Sequence, residues 1–161
     1  MEDPTLTVKR AIKFLKIADH MLTQTYPLVN DPKLLIVIME NVFLSLSNGM
    51  TSILELESLK SRQQDYKDDF ASKYKLFLSK FSKKYDISKE DLSFIGDVYQ
   101  IIEEHKKSPV EFVRKDTFVI CSQNYRISTI KLKKMSEFIK KAKTFINKVD
   151  GIIDKNMRKG Q

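Results

Sequence analysis

The chain has 161 residues, 42% of them hydrophobic and 31% charged, enough apolar surface for one packed core and too apolar for disorder. Only four Gly and four Pro occur, few for the many turns of a sandwich or barrel, so long helices in a single domain are expected. The net charge of +8 is unevenly placed: residues 1–64 and 65–130 are nearly balanced, whereas residues 131–161 hold ten basic and three acidic side chains, so electrostatic partners are sought there first.

The first helix is expected to start at Pro4 or Thr5, with Asp3 as cap and proline at the first helical position. Lys9, Lys13, Lys16, His20 and Thr23 recur at steps of four and three, a narrow wet stripe on an otherwise apolar helix. Tyr26-Pro27 is expected to end it, because a residue before proline disfavours helical geometry. Asp31-Pro32 then restarts the chain as a helix over about 32–60, apolar nearly all round at Leu34 to Met39 and therefore the central element. Its run Leu34 to Leu46 is broken by Glu40, Asn41 and Ser45, short of the roughly 20 apolar residues of a membrane span. Asn41, Ser45, Asn48, Ser52 and Glu55 form a polar stripe with Gly49 beside it. Small groups in such a row serve tight helix packing; a polar groove or protein interface at Asn41, Ser45 and Asn48 is the other reading.

Residues 58–69 read as a turn or solvated extension. A third helix over about 66–84 carries Phe70, Tyr74, Phe77 and Phe81, with Tyr85 a turn further on; at this spacing the row is core rather than a base-stacking platform. Ser88 to Asp91 resembles a capping box and opens a fourth helix ending near His105. The following linker, His105 to Asp116, combines His105, Lys106, Lys107, Arg114 and Lys115 around Pro109. It reads either as a binding loop, with Arg114 as a two-pronged phosphate or carboxylate grip, or as local ion pairs of Glu111 with Arg114 or Lys115. Thr117 to Cys121 and Tyr125 to Ser128 favour strands around a turn, a small β-hairpin.

The last helix is expected from near Thr129. Leu132, Met135, Ile139, Ala142, Ile146, Val149 and Ile153 alternate at three and four, broad enough for a bundle core with Phe138, Phe145 and Ile152. On another face Lys134, Lys141, Lys148 and Lys155 stand seven residues apart with Lys133 and Lys140 alongside, a ridge rising roughly 10 Å between successive lysines. The fold class is thus all-α, an antiparallel bundle of about five helices with a small hairpin before the last.

Catalytic patterns are sparse. Gly49, Gly96, Gly151 and Gly160 are scattered, so no phosphate loop forms, and there is no nucleophile elbow. The one cysteine, Cys121, excludes an internal disulfide framework and a Cys-rich zinc site, and neither His20 nor His105 has a Glu three residues before it, as a di-iron bundle site requires. No catalytic residue, metal or cofactor is expected. The acidic start Met1-Glu2-Asp3-Pro4 is unlike a signal peptide, so a cytoplasmic, soluble protein without a membrane role is expected.

The long amphipathic first helix, the Pro-started apolar second helix, and the stretch from Ala18-Asp19-His20-Met21-Leu22 through Asp31-Pro32 to Asn48-Gly49-Met50 resemble the HEPN superfamily, in particular its small archaeal members. HEPN ribonucleases carry an arginine four to six residues before a histidine; Arg10 before His20 and Arg62 before His105 do not have that spacing. The resemblance therefore implies a non-catalytic bundle, often dimeric, that binds RNA, a nucleotide or a protein. Expected function is binding of RNA or another polyanion through Lys133, Lys134, Lys140, Lys141, Lys148, Lys155 and the linker cations. The alternatives are a dimerising protein-interaction module and, third, a ribonuclease using His20 or His105 as base.

Overall fold

In a computed structural model of the chain, which describes residues 2–159, five helices enclose one core and a three-stranded antiparallel sheet precedes the last of them. Helix α1 (Pro4–His20) is capped by Asp3, whose carboxylate accepts from the Thr5 amide, and continues through a π-helical turn (Met21–Thr25) into a last α turn (Tyr26–Val29). Tyr26-Pro27 therefore does not end this helix. The wider π turn offsets the i→i−4 ladder and puts Pro27 in the first turn of the following piece, where its missing N–H interrupts nothing. The terminator is Asn30, at φ 51°, whose amide bonds the Tyr26 carbonyl.

Helix α2 (Lys33–Ser61) follows, its first turn held by the Asp31 carboxylate accepting from the Lys33 amide, and it stops at Arg62 in the left-handed region. By length and composition α2 is apolar enough to cross a bilayer, yet it lies at the centre of the bundle, packed against α1 and the later helices. Ile38, Met39, Val42, Leu46, Met50 and Ile53 have no solvent exposure. The third helix, α3, begins at Phe70 rather than near 66, because Asp69 caps it by accepting from the Ser72 amide; it runs as Phe70–Leu76, a π turn Phe77–Phe81 and Ser82–Lys84. Its aromatic row is core: Phe77 is fully buried, and Phe70 stacks on Tyr99 at 4.4 Å between ring centres while touching Phe43 and Tyr74. Helix α4 (Lys89–Lys107) starts on the Ser88 cap.

The expected hairpin has a third strand. Strands β1 (Val110–Arg114), β2 (Thr117–Cys121) and β3 (Ile127–Ile130) pair in that order, with Val110 opposite Cys121 and Cys121 opposite Ile127. The linker was thus half strand: Val110, Phe112 and Val113 supply the β-favouring residues, and Lys115 at φ 56° makes the tight turn into β2. Because β3 takes Thr129 and Ile130, the last helix, α5 (Leu132–Lys159), begins three residues later than expected. Its apolar row from Met135 to Ile153 is buried.

Partners fix the directions. Thr7 meets Glu55 and Ser45 meets Ala11, so α1 runs antiparallel to α2; Phe43 meets Tyr99 and Glu40 meets His105, so α4 does too. Gly49 faces Phe145 and Ile146 while Lys60 bonds Asn156, so α2 and α5 run the same way. The sheet is the connection that returns the chain for this second descent.

At Gly49 an added Cβ meets Ile146 Cδ1 at 2.6 Å and Phe145 Cε2 at 3.4 Å, whereas at Gly151 it meets nothing within 4 Å. Substitution at these two glycines has opposite signs. Gly49→Val overpacks the α2–α5 contact and lowers stability by about 1–3 kcal/mol, while Gly151→Ala, in an open helix interior, raises it by about 0.5–1 kcal/mol. Urea unfolding of the two variants checks both.

Candidate functional site

The lysines of α5 divide into two groups. Lys134 donates to the Thr129 carbonyl at 3.1 Å and lies over the Phe138 ring, Lys141 lies over Phe94, and Lys148 donates to the Asp86 carbonyl. These three lean on their own fold, although their charge remains. Lys133, Lys140 and Lys155 are exposed and form no ion pair among the described residues. Three positions after Lys140, Lys143 reaches across to Asp19 of α1 at 3.0 Å, so this edge of α5 borders α1.

There the wet stripe of α1 takes over. Lys9, Lys13, Lys16 and His20 line a shallow groove of about 510 Å³ together with Ile12, Ile17 and Met21. The three lysines are exposed and have no carboxylate at ion-pairing distance among the described residues. Steps of four and three residues stack them along one side of a rigid, fully helical segment. The composition count did not point here, because Asp3, Asp19 and other acids of residues 1–64 balance these lysines in sum but not in space.

The cations of the linker are dispersed. Lys106 and Lys107 end α4, where both approach Glu103, at 3.8 and 3.6 Å. Arg114 closes β1 on the outer face of the sheet with Val110 and Phe112, and Lys115 sits in the turn. Glu111 does not pair with Arg114 or Lys115, since strand alternation turns it to the opposite face. It bonds His105 Nδ1 at 2.8 Å, while Glu40 of α2 approaches His105 Nε2 at 3.3 Å. His105 is thereby a strut between α4, α2 and the sheet, with both ring nitrogens occupied. His20 is exposed on the α1 groove.

The polar stripe of α2 also splits. Ser45 is fully buried and donates to the Ala11 carbonyl at 2.7 Å, and Ser52 donates to the Gly49 carbonyl at 2.6 Å. Both belong to close packing, so Ser45 presents nothing to a groove or partner. Asn41 and Asn48 are partly exposed and donate to carbonyls one turn back, at Val37 and Leu44. Asn48 lies on the wall of a second concavity of about 460 Å³ whose floor is Glu55. Glu55 is 5% exposed, and each of its oxygens is 2.9 Å from the Thr7 hydroxyl. Sequence reasoning placed Glu55 at the end of the stripe but missed its partner; the available signal was Thr7, a polar residue in line with Ala11 and Ala18 on the buried side of α1.

Burial pushes the Glu55 carboxyl above its ordinary value of 4.5, and neighbouring Glu2 acts in the same direction against the Thr7 hydrogen bond. The chain matches no protein-family model and no curated protein.

A carboxyl raised by folding binds its proton more tightly in the native state than in the unfolded chain. Stability from this group is therefore present below about pH 4.5 and is lost as pH rises through the native value. Glu55→Gln, which keeps a side-chain oxygen for Thr7 and carries no charge, removes this loss. The difference in unfolding free energy between Glu55→Gln and the native chain should grow in the variant's favour from pH 4 to pH 7, measured by urea titration at each pH.

Proposed function

We propose that the protein is a non-catalytic binding module for RNA or another polyanion, and that its contact surface is the lysine face of α1 continued by the exposed lysines of α5. The observation that carries this reading is the row Lys9, Lys13 and Lys16, exposed, without acidic partners among the described residues, and lining one groove. Ammonium groups along a rigid helix can each neutralise a phosphate, and the counterions released make affinity fall with salt. Ile12, Ile17 and Met21 in the same groove offer apolar surface to sugar or base edges. Lys133, Lys140 and Lys155 extend the positive field, and Lys134, Lys141 and Lys148 add charge with their ammonium groups already bonded or stacked.

A HEPN-like identity is consistent with this proposal as a non-nucleolytic version of that bundle. The engagement of His105 by two carboxylates supports a structural role for that histidine. On the ribonuclease reading His105 or His20 would serve as base; on the reading preferred here, His20→Ala and His105→Ala leave RNA cleavage by the purified chain at the native level, read on a labelled RNA by gel.

A protein-interaction role has its own support on α2. Val37 and Leu44, 38% and 39% exposed, alternate with Asn41 and Asn48 along the outward side, an apolar and amide surface suited to a second copy.

Fluorescence anisotropy of a labelled single-stranded RNA separates the two. On the polyanion reading, binding weakens steeply between low and moderate salt, and changing Lys9, Lys13 and Lys16 to Glu lowers affinity at least about tenfold. Changing Lys134, Lys141 and Lys148 to Glu costs less. Absence of binding at low salt overturns the proposal and leaves the α2 surface, which sedimentation of the native chain then tests.

A further inference from the structure

The concavity above Glu55 has features of a ligand site that the basic face does not use. Its volume of about 460 Å³ is that of a small-molecule pocket. The walls come from separate elements: Thr7 and Arg10 of α1, Asn48 and Thr51 of α2, Tyr66 of the stretch 62–69 and Lys73 of α3.

Its floor is a buried acid with Thr7 as its hydrogen-bond partner and no direct ion pair among the described residues. The Glu55 carboxylate has about four acceptor positions, and the single Thr7 hydrogen occupies at most one of them at a time. Two cations share the pocket, Arg10 paired with Glu2 and Lys73 with Asp68, each at 2.7 Å; both acids line it too, so its three carboxylates outnumber its two cations. Burying a carboxylate in this way is costly unless a cation and further donors reach it. Asn48, about two helical turns along the wall, bonds the Leu44 carbonyl through its amide and keeps its side-chain oxygen as a separate acceptor.

We propose that this pocket binds a small primary-ammonium compound of amino-acid size, with its ammonium on the Glu55 carboxylate. An ammonium brings three donors to acceptors that otherwise lack them and restores the charge balance of a buried acid. An anion is disfavoured because the deepest group is itself anionic. A metal ion is disfavoured because no cluster of three His, Cys, Asp or Glu side chains suited to one exists among the described residues. Arg10 and the largely buried Lys73 line the same pocket, where exchange from Glu2 and Asp68 would let them take a ligand carboxylate. That distinguishes a free amino acid from a simple amine.

The test is isothermal titration calorimetry of the full chain with the free L-amino acids, ethanolamine and putrescine, and with the N-acetyl form of any amine that binds. At least one free amine is expected to bind with Kd near or below about 1 mM, and its N-acetyl form at least about tenfold more weakly. Glu55→Gln should lose at least about tenfold in affinity, and the native chain should bind less tightly as pH falls and Glu55 takes up its proton. Preference for an amino acid over ethanolamine and putrescine assigns Arg10 and Lys73 to the carboxylate; equal binding of the amines confines recognition to Glu55. Thr51→Leu, which narrows the mouth without touching the floor, should also weaken binding, and it replaces Glu55→Gln if that variant is unfolded by circular dichroism. The proposal is overturned if no free amine binds by about 10 mM, if the N-acetyl form binds equally, or if a folded Glu55→Gln or Thr51→Leu variant binds as the native chain does. None of these results depends on Lys9, Lys13 or Lys16, so the RNA experiment stands or falls separately.

Discussion

Everything in this fold is arranged around the need to enclose α2. A helix apolar on nearly every side cannot rest on a single neighbour, because each large side chain left in water forgoes about 1.5–3 kcal/mol. Ile38, Met39, Leu46 and Met50 are removed from solvent only because α1, α4 and α5 each cover a sector. Gly49 and Ser45 set how closely two of those neighbours approach: the first leaves space for the Ile146 side chain of α5, and the second bonds the backbone of α1 directly. The sheet serves the same end, since it reverses the chain after α4 so that α5 can descend beside α2 in the same direction.

Enclosing α2 also determines where charge is free. With the apolar row of α5 turned inward, the lysines on its flanks meet whatever lies next to them. Lys134 meets the Thr129 carbonyl of β3 and the Phe138 ring of α5 itself, Lys141 and Lys148 meet Phe94 and the Asp86 carbonyl of the α3–α4 region, Lys143 meets Asp19, and Lys133, Lys140 and Lys155 face water. On α1 the side opposite α2 has no neighbour to supply acids, so Lys9, Lys13 and Lys16 stay unpaired among the described residues. A local excess of positive charge thus arises on a helix whose own third of the sequence is electrically balanced.

Two buried or half-buried acids show contrasting uses of the same side chain. Glu111 crosses from the sheet to His105, which Glu40 also approaches, and this three-way contact ties β1 to α4 and α2. Glu55 has only Thr7 beneath it and an open polar concavity above it. The first is closed by partners within the chain and reads as structure. The second retains acceptor capacity toward solvent, which is why it, rather than the histidine cluster, carries the ligand proposal.

Much of the helical plan was legible in the residues. Asp3, Asp31 and Ser88 mark helix starts because a short polar side chain can satisfy a free amide of the first turn wherever it stands, and the three-four alternation of α5 names its buried face outright. Where contacts remote in sequence compete, local rules lost. Proline at 27 was absorbed by a π turn, the linker cations were separated by strand pairing, and the 66–69 segment stayed out of α3 because Asp69 caps better than it extends. The periodicity of side chains thus determined which helices exist and which faces they bury. Only the tertiary structure decided which lysines remain free, that Ser45 is packing and that Thr7 lies under Glu55, because those outcomes depend on neighbours brought together from distant parts of the chain.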